Sequence, residues 1–184
     1  MSTSTALMTA EELLRLPRGQ FRYELINGEL KTMSPAGHNH GRISVRLTVP
    51  LGQFVWDNGL GEVLGSETGF KLTSNPDTVL APDVSFIAKH RVEQVGSTEG
   101  YWEGPPDLAV EVLSPSERSG QVAKKVSQWL NYGSQQVWVV NPKSRTVVIH
   151  QLNKDSITLS EGDFLEGGEL LPGFRIAVKR LFEL

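Results

Sequence analysis

The chain reads as an α/β fold, a central mixed β-sheet flanked by helices, and three stretches carry that reading. Residues 107–114, DLAVEVLS, form a near-continuous apolar run of strand length, the pattern of a strand covered on both faces. Residues 119–132 follow with Val122, Val126, Trp129 and Leu130 at helical spacing, and VWVVNP then returns as a second buried strand. Strand, helix, strand makes a crossover unit, so these two strands run parallel within a sheet whose other connections are hairpins.

Length and composition bound the rest. At 184 residues the chain is close to the roughly 150 of one domain, so 1–184 is expected to fold around one core, with 1–20 as an N-terminal helix and arm. With 39% apolar and 21% charged residues it is neither disordered nor fibrous in composition. No apolar stretch approaches the ~18 residues of a membrane span, and the opening lacks the basic and apolar regions of a secretory signal, so a cytoplasmic protein that makes no membrane contact is expected. There is no Cys, which excludes disulfides, thiolate nucleophiles and thiolate-bound metals; any metal must sit on oxygen or imidazole. A net charge of -3 argues against a uniformly basic nucleic-acid coat and leaves room for a local basic groove.

Local signals place the remaining elements. Thr9 and Glu12 ahead of Leu13, Leu14 and Leu16 have capping-box order, so a short helix should end at Pro17 and a turn at Gly19. FRYELI and ELKTM flank Asn27-Gly28, the dipeptide of a two-residue type I′ hairpin. That turn sets Glu24 opposite Lys31, a cross-strand pair that accounts for Glu24 without chemistry. Ile43, Leu47, Leu51, Phe54 and Val55 share one face of a helix running from His40 to about Val55, in which Pro50 predicts a kink or break. GEVLGSETGFKLT reads as strand, bulge and strand, NPDT as a turn, and VLAPDVSFIA as one strand with a proline near its start. Residues 90–104 read as polar loop or short helix. Ser114-Pro115-Ser116 ends the apolar run, Gly133 stops the helix of 119–132, and RTVVIHQ, SITLS and FRIAV supply later strands.

Three residues stand where packing alone would not want them. Glu111 interrupts the apolar run, and a carboxylate there costs several kcal/mol unless a positive or hydrogen-bonding group meets it. A wet strand face or an internal salt bridge would also account for it. Asp83, just after Pro82, can be brought by a neighbouring strand to the same sheet edge; alone it would equally serve as a turn-capping aspartate. Two converging carboxylates make a hard oxygen site suited to Mg²⁺. Lys124 lies almost opposite the apolar stripe of its helix, facing water, whereas Lys125 lies about 85° from the stripe's centre. From that flank, shared with Gln121, Lys125 can carry its ammonium toward Glu111, or simply snorkel.

Five motifs together, YELINGEL, SPAGHNHGRI, LAPDVSFI, DLAVEVLSPSERSGQVAKK and QVWVVNP, in this order between about Phe21 and Phe182, closely resemble the Uma family of restriction-endonuclease-like proteins, a branch of the PD-(D/E)XK nuclease superfamily. The resemblance implies a restriction-endonuclease-like fold, a metal-dependent endonuclease acting on DNA, Mg²⁺ or Mn²⁺ as cofactor, and a homodimer. It implies Asp83 and Glu111 as metal-binding carboxylates, the Val112 carbonyl as a third ligand, and Lys125 as the catalytic lysine displaced onto the following helix; the superfamily's usual lysine position is Leu113. His40 and Glu29 resemble recurrent polar positions of the family. The chain departs from its relatives at Gln121, where an acid is common.

Other signals carry less. Gly59, Gly61 and Gly65 have the wrong spacing for a dinucleotide loop, and neither a P-loop nor a G-x-S-x-G elbow occurs. His38 and His40 lack a third zinc ligand by spacing. Trp56, Trp102, Trp129 and Trp138 are scattered and read as core or interface. The rival reading is a catalytically silent module that binds nucleic acid or protein on a nuclease-like fold.

Overall fold

The computed structural model describes residues 7–17, 21–115 and 117–183. The expected turn at Gly19 and the contribution of Ser116 lie outside them. In chain order the elements are α1 (Ala10–Leu14), β1 (Arg22–Ile26), β2 (Glu29–Met33), α2 (His38–Asp57), β3 (Gly61–Gly65), β4 (Phe70–Thr73), β5 (Thr78–Leu80), β6 (Val84–Ala88), α3 (Lys89–Val95), β7 (Trp102–Glu103), β8 (Leu108–Val112), α4 (Ser119–Tyr132), β9 (Gln136–Asn141), β10 (Thr146–His150), β11 (Ile157–Leu159), β12 (Phe164–Gly167), β13 (Leu171–Ala177) and α5 (Lys179–Phe182).

The central sheet is mixed and six-stranded, ordered β11-β10-β9-β8-β6-β3. β8 and β9 are parallel and joined through α4, while β6 is antiparallel to both β3 and β8. Alternation along the strands divides the core in two. Val84, Phe86, Leu108, Val110, Val112, Trp138 and Val140 point to the layer that α2 covers. Ile87, Ala109, Val137 and Val139 point to the opposite layer, with Val126 and Trp129 of α4 and with Phe70, Leu80 and Trp102 of a second, five-stranded sheet ordered β2-β1-β5-β4-β7. Both faces of β8 are therefore dry, which is why its sequence is apolar in every position but one.

Local chemistry explains the elements that position the site. The Thr9 hydroxyl accepts from the Glu12 N–H at 3.2 Å and the Glu12 carboxylate accepts from the Thr9 N–H at 2.8 Å, closing the box on α1. Asn27 and Gly28 take φ of 51° and 77°, the left-handed pair that a type I′ turn demands, and β1 pairs with β2 in the expected register. Gly133, at φ 112°, closes α4.

Three expectations are corrected. α2 is one unbroken helix through Pro50. Its inner stripe of Ile43, Leu47, Leu51 and Val55 is fully buried, and four such side chains at about 1.5–3 kcal/mol each outweigh the ~3 kcal/mol of an interior proline. Residues 61–65 and 70–73 are separated by a turn rather than a bulge and belong to different sheets. VLAPDVSFIA is likewise two strands: β5 pairs with β1 and β4, β6 with β3 and β8, and Ala81-Pro82-Asp83 carries the chain from one sheet to the other. A proline has no N–H to give a ladder, so the change of sheet falls there.

Two substitutions check this balance. Leu47→Ala is expected to destabilise by about 2–5 kcal/mol in denaturant unfolding, through lost burial and a residual cavity. Pro50→Ala is expected to stabilise, by up to about 3 kcal/mol, because the helix it interrupts is already formed.

Candidate active site

The crossing between sheets determines what meets at the end of β8. Val84 pairs with Val110 at the end of the β6–β8 ladder, which brings the next residue, Asp83, near Glu111, close enough for the two carboxylates to repel. The backbone of Asp83 still joins the ladder, its N–H donating to the Val110 carbonyl at 2.9 Å. Its side chain replaces the next strand partner: Oδ2 accepts from the Val112 N–H at 2.8 Å. Because N–H and C=O of one strand residue point to the same neighbour, the Val112 carbonyl also opens toward Asp83.

Each carboxylate has its own partners. Asp83 Oδ2 lies 3.0 Å from His40 Nε2, supplied by the first turn of α2, and Oδ1 lies 3.6 Å from Arg22 Nη1 of β1. Glu111 Oε2 accepts from Lys125 Nζ at 3.1 Å and Oε1 from the indole N–H of Trp129 at 2.8 Å, one turn further along α4. Trp129 is itself held edge-on against Phe70, with ring centroids 6.2 Å apart, so its N–H has a fixed aim. Lys125 reaches Glu111 from the flank of α4, while Lys124 is exposed, as the helical spacing requires.

With Arg22, Glu117 and the indole N–H of Trp129, Glu24 is one of the members that sequence reasoning missed. It does pair in register with Lys31, yet its side chain is buried and turns away from Lys31, whose ammonium instead meets Glu29 at 2.9 Å. Glu24 accepts from the Ala81 N–H at 3.3 Å, one step before the change of sheet. With Leu25 also buried, both faces of β1 are covered at its centre, a fact that the alternation of β1 does not carry. Glu29, by contrast, is exposed on β2 and stands outside the cluster.

The departure at Gln121 resolves in the same way. Its side-chain oxygen accepts from the Arg118 N–H at 2.9 Å, capping α4 rather than flanking Lys125. The acid beside Lys125 is Glu117, from the loop before the helix, at 3.5 Å; its other oxygen accepts from the Ser114 N–H at 2.7 Å.

The electrostatics follow from burial and crowding. Burial pushes the Glu111 carboxyl up to about 7, with Lys125 and the Trp129 N–H opposing and Asp83 and Glu24 adding repulsion. Burial also raises Glu24, against Lys125, the Ala81 N–H and Arg22. Burial would raise Asp83 too, but His40, the Val112 N–H and Arg22 outweigh it and hold that carboxyl below its usual value. His40 is raised by its hydrogen bond to Asp83, and Lys125 is raised because the surrounding carboxylates outweigh its own burial. Four carboxylates, Glu24, Asp83, Glu111 and Glu117, thus face Arg22, Lys125 and His40, an excess of negative charge in a mostly buried setting.

Comparison with known proteins places the chain. Residues 10–179 match the model of Uma2, described as "putative restriction endonuclease". The chain belongs to the Uma2 family. A similar solved structure is that of a "putative nuclease belonging to DUF820" from Anabaena variabilis, with a TM-score of 0.80 and 20% identity over 95% of this chain and 97% of that one; it shares the fold. No curated protein matches. Within this Uma2 chain no described helix is long and apolar enough to cross a membrane.

A divalent cation fits this donor set by chemistry: the oxygens are hard, and the charge excess is negative. Among the described residues no three His, Asp or Glu side chains are arranged to enclose an ion, so the fit is to a cation that takes two carboxylates and a carbonyl and keeps waters of its own. An open groove of about 530 Å³ lies between the N-terminal helix, β1 and the 66–69 turn; it touches the cluster only through Arg22 and is not lined by Asp83, Glu111 or Lys125.

The titration of Glu111 has a measurable sign. In the unfolded chain it ionises near 4.5, whereas the folded chain retains its proton to about 7, so between those values the native state binds more protons. Stability of the chelator-treated protein is expected to fall as pH rises through that window, and Glu111→Gln should reduce the slope in denaturant unfolding, the raised Glu24 contributing the same sign. Asp83 acts oppositely, its contribution being lost as pH falls through its depressed value.

Proposed function

We propose that this Uma2 protein is a metal-dependent endonuclease that hydrolyses phosphodiester bonds in DNA. The observation that carries the reading is Glu111: a carboxylate inside a doubly buried strand, with Asp83 set beside it by strand register and Lys125 turned onto it from the next helix. Membership of a family described as "putative restriction endonuclease" supports the reaction class.

Asp83, Glu111 and the Val112 carbonyl would hold Mg²⁺ or Mn²⁺. Held there, the ion would supply Lewis-acid chemistry, lowering the cost of charge on a phosphoryl oxygen and the pKa of water. The chain's own groups do the rest. Lys125, fixed between Glu111 and Glu117, orients the attacking water and offsets charge as it develops on the phosphate. Trp129 fixes the rotamer of Glu111 so that Oε2 keeps its direction. His40 and Arg22 keep Asp83 ionised across the working range. Glu24, held by the Ala81 N–H, adds a third negative group that favours a cation and disfavours a vacant site. Cutting both strands of a duplex takes two such centres, so we infer a homodimer as the working form.

A second reading is favoured by one observation: both Glu111 oxygens are already satisfied by internal donors, as a purely structural carboxylate would be. A silent nucleic-acid-binding module of this kind would retain DNA in a salt-dependent manner without cleaving it, and divalent cations would not raise its melting temperature.

Plasmid nicking with Mg²⁺ or Mn²⁺ separates the two. Wild type is expected to cut, Glu111→Gln to lose detectable cutting, and Lys125→Ala to cut about 10²–10³-fold more slowly. Equal cutting by all three would identify a contaminant and remove the assignment.

A further inference from the structure

α2 carries two apolar faces, and the fold uses one. The inner stripe of Ile43, Leu47, Leu51 and Val55 is buried on the central sheet. On the far side, about 150° from that stripe at ~100° per residue, stand Val45, Val49, Gly52 and Trp56. Val45 is 59% exposed, Val49 63% and Trp56 66%, and the Trp56 ring lies back over Gly52. A surface helix normally turns charge to this side. Their spacing of four, three and four residues is that of a coiled-coil seam, which a core-facing helix does not need on its outer side. No element packed against α2 covers it among the described residues, and it is remote from Asp83 and Glu111, which lie beyond the helix's other face.

We propose that this seam pairs antiparallel with the α2 of a second copy of the chain. The inference rests on the homodimer reading above and supplies its surface. A two-fold axis between residues 50 and 51 sets Val45 against Trp56 of the second copy and Val49 over its Gly52, which is buried beneath that copy's own Trp56 ring, so both valines pack on the indole. The flanks are complementary in the same register. Arg46, Gln53 and Asp57 lie on one side of the seam, and antiparallel pairing faces that side with its own copy. Arg46, anchored by the Arg180 carbonyl at 2.8 Å, then falls between Gln53 and Asp57 of the second copy, two residues already hydrogen-bonded to each other at 2.7 Å. Parallel pairing would turn this flank toward the opposite flank of the second copy, where Ser44 and Thr48 lie, and lose the match. His40 of each copy sits at opposite ends of the pair, about 30 Å apart along the axis, so both sites stay open and neither completes the other. A two-heptad helix pair falls short of the about 800 Å² per partner of a stable specific interface, so the dimer dissociates in the micromolar range.

Sedimentation velocity of the full chain across micromolar concentrations tests this, with circular dichroism as the check on folding. Wild type should pass from monomer to dimer, and Val49→Asp, at an exposed position, should raise the dissociation constant by more than about tenfold. Arg46→Asp and Asp57→Arg should each weaken the dimer severalfold, and the double variant should restore it. Within one chain these two residues are about 16 Å apart along the helix, so restoration can only act between copies. A wild-type protein that stays monomeric overturns both the homodimer reading and the seam. A dimer indifferent to Val49→Asp, or single charge reversals that the double variant does not repair, overturns the seam alone. Metal-dependent cutting by a monomer would leave the nuclease reading standing without it.

Discussion

The buried carboxylate of Glu111 is the constraint around which the site is built. Placed in a strand with two dry faces, it would be expelled or neutralised unless donors were brought to it, and α4 brings two, the Lys125 ammonium and the Trp129 indole N–H. That requirement fixes the rotation of α4 against the sheet, because both donors lie on one flank of the helix, one turn apart. It also fixes Trp129, whose ring must fill the space beside Phe70 while its N–H reaches the strand. Packing and polarity are therefore satisfied by the same residue, and neither can be altered without the other.

The second constraint is topological. The chain leaves one sheet and enters the other at Ala81-Pro82-Asp83, and a carboxylate grips the backbone on each side: Glu24 holds the Ala81 N–H and Asp83 holds the Val112 N–H. Carboxylates that would repel one another in isolation are held near each other by the backbone donors they satisfy. Burial displaces Glu24 and Glu111 upward, and their mutual repulsion adds a smaller share, so a positive charge placed between them would lower the cost of both.

Much of this was legible in the chain. The apolar run around Glu111 announced a strand covered on both faces, and helical spacing alone separated Lys125 from Lys124. The hairpin at Asn27-Gly28 and the crossover through α4 followed from turn chemistry and periodicity. What could not be read were the facts that depend on a second sheet. Glu24 had a ready explanation in Lys31, and only the layer lying over β1 turns it inward. Glu117 lies in a loop with no periodicity to place it, and Trp129 looked like core because it is core, its polar edge being invisible to an apolar pattern. By pattern Pro82 stands near the start of one strand, whereas in the fold it marks the point at which the chain changes sheet. Pro50 failed as a breaker because the stripe around it buries more than the proline loses.

Because Arg22 and Glu24, His40, Asp83, Glu111 and Lys125 come from five separate stretches of the chain, their convergence reports on the completeness of the whole molecule. During synthesis the polar cluster is without its last member until α4 has emerged, and β8 has its parallel neighbour only once β9 follows. A truncated or half-assembled chain thus holds scattered acids and bases and no constellation, which confines whatever chemistry the cluster performs to molecules that have finished folding.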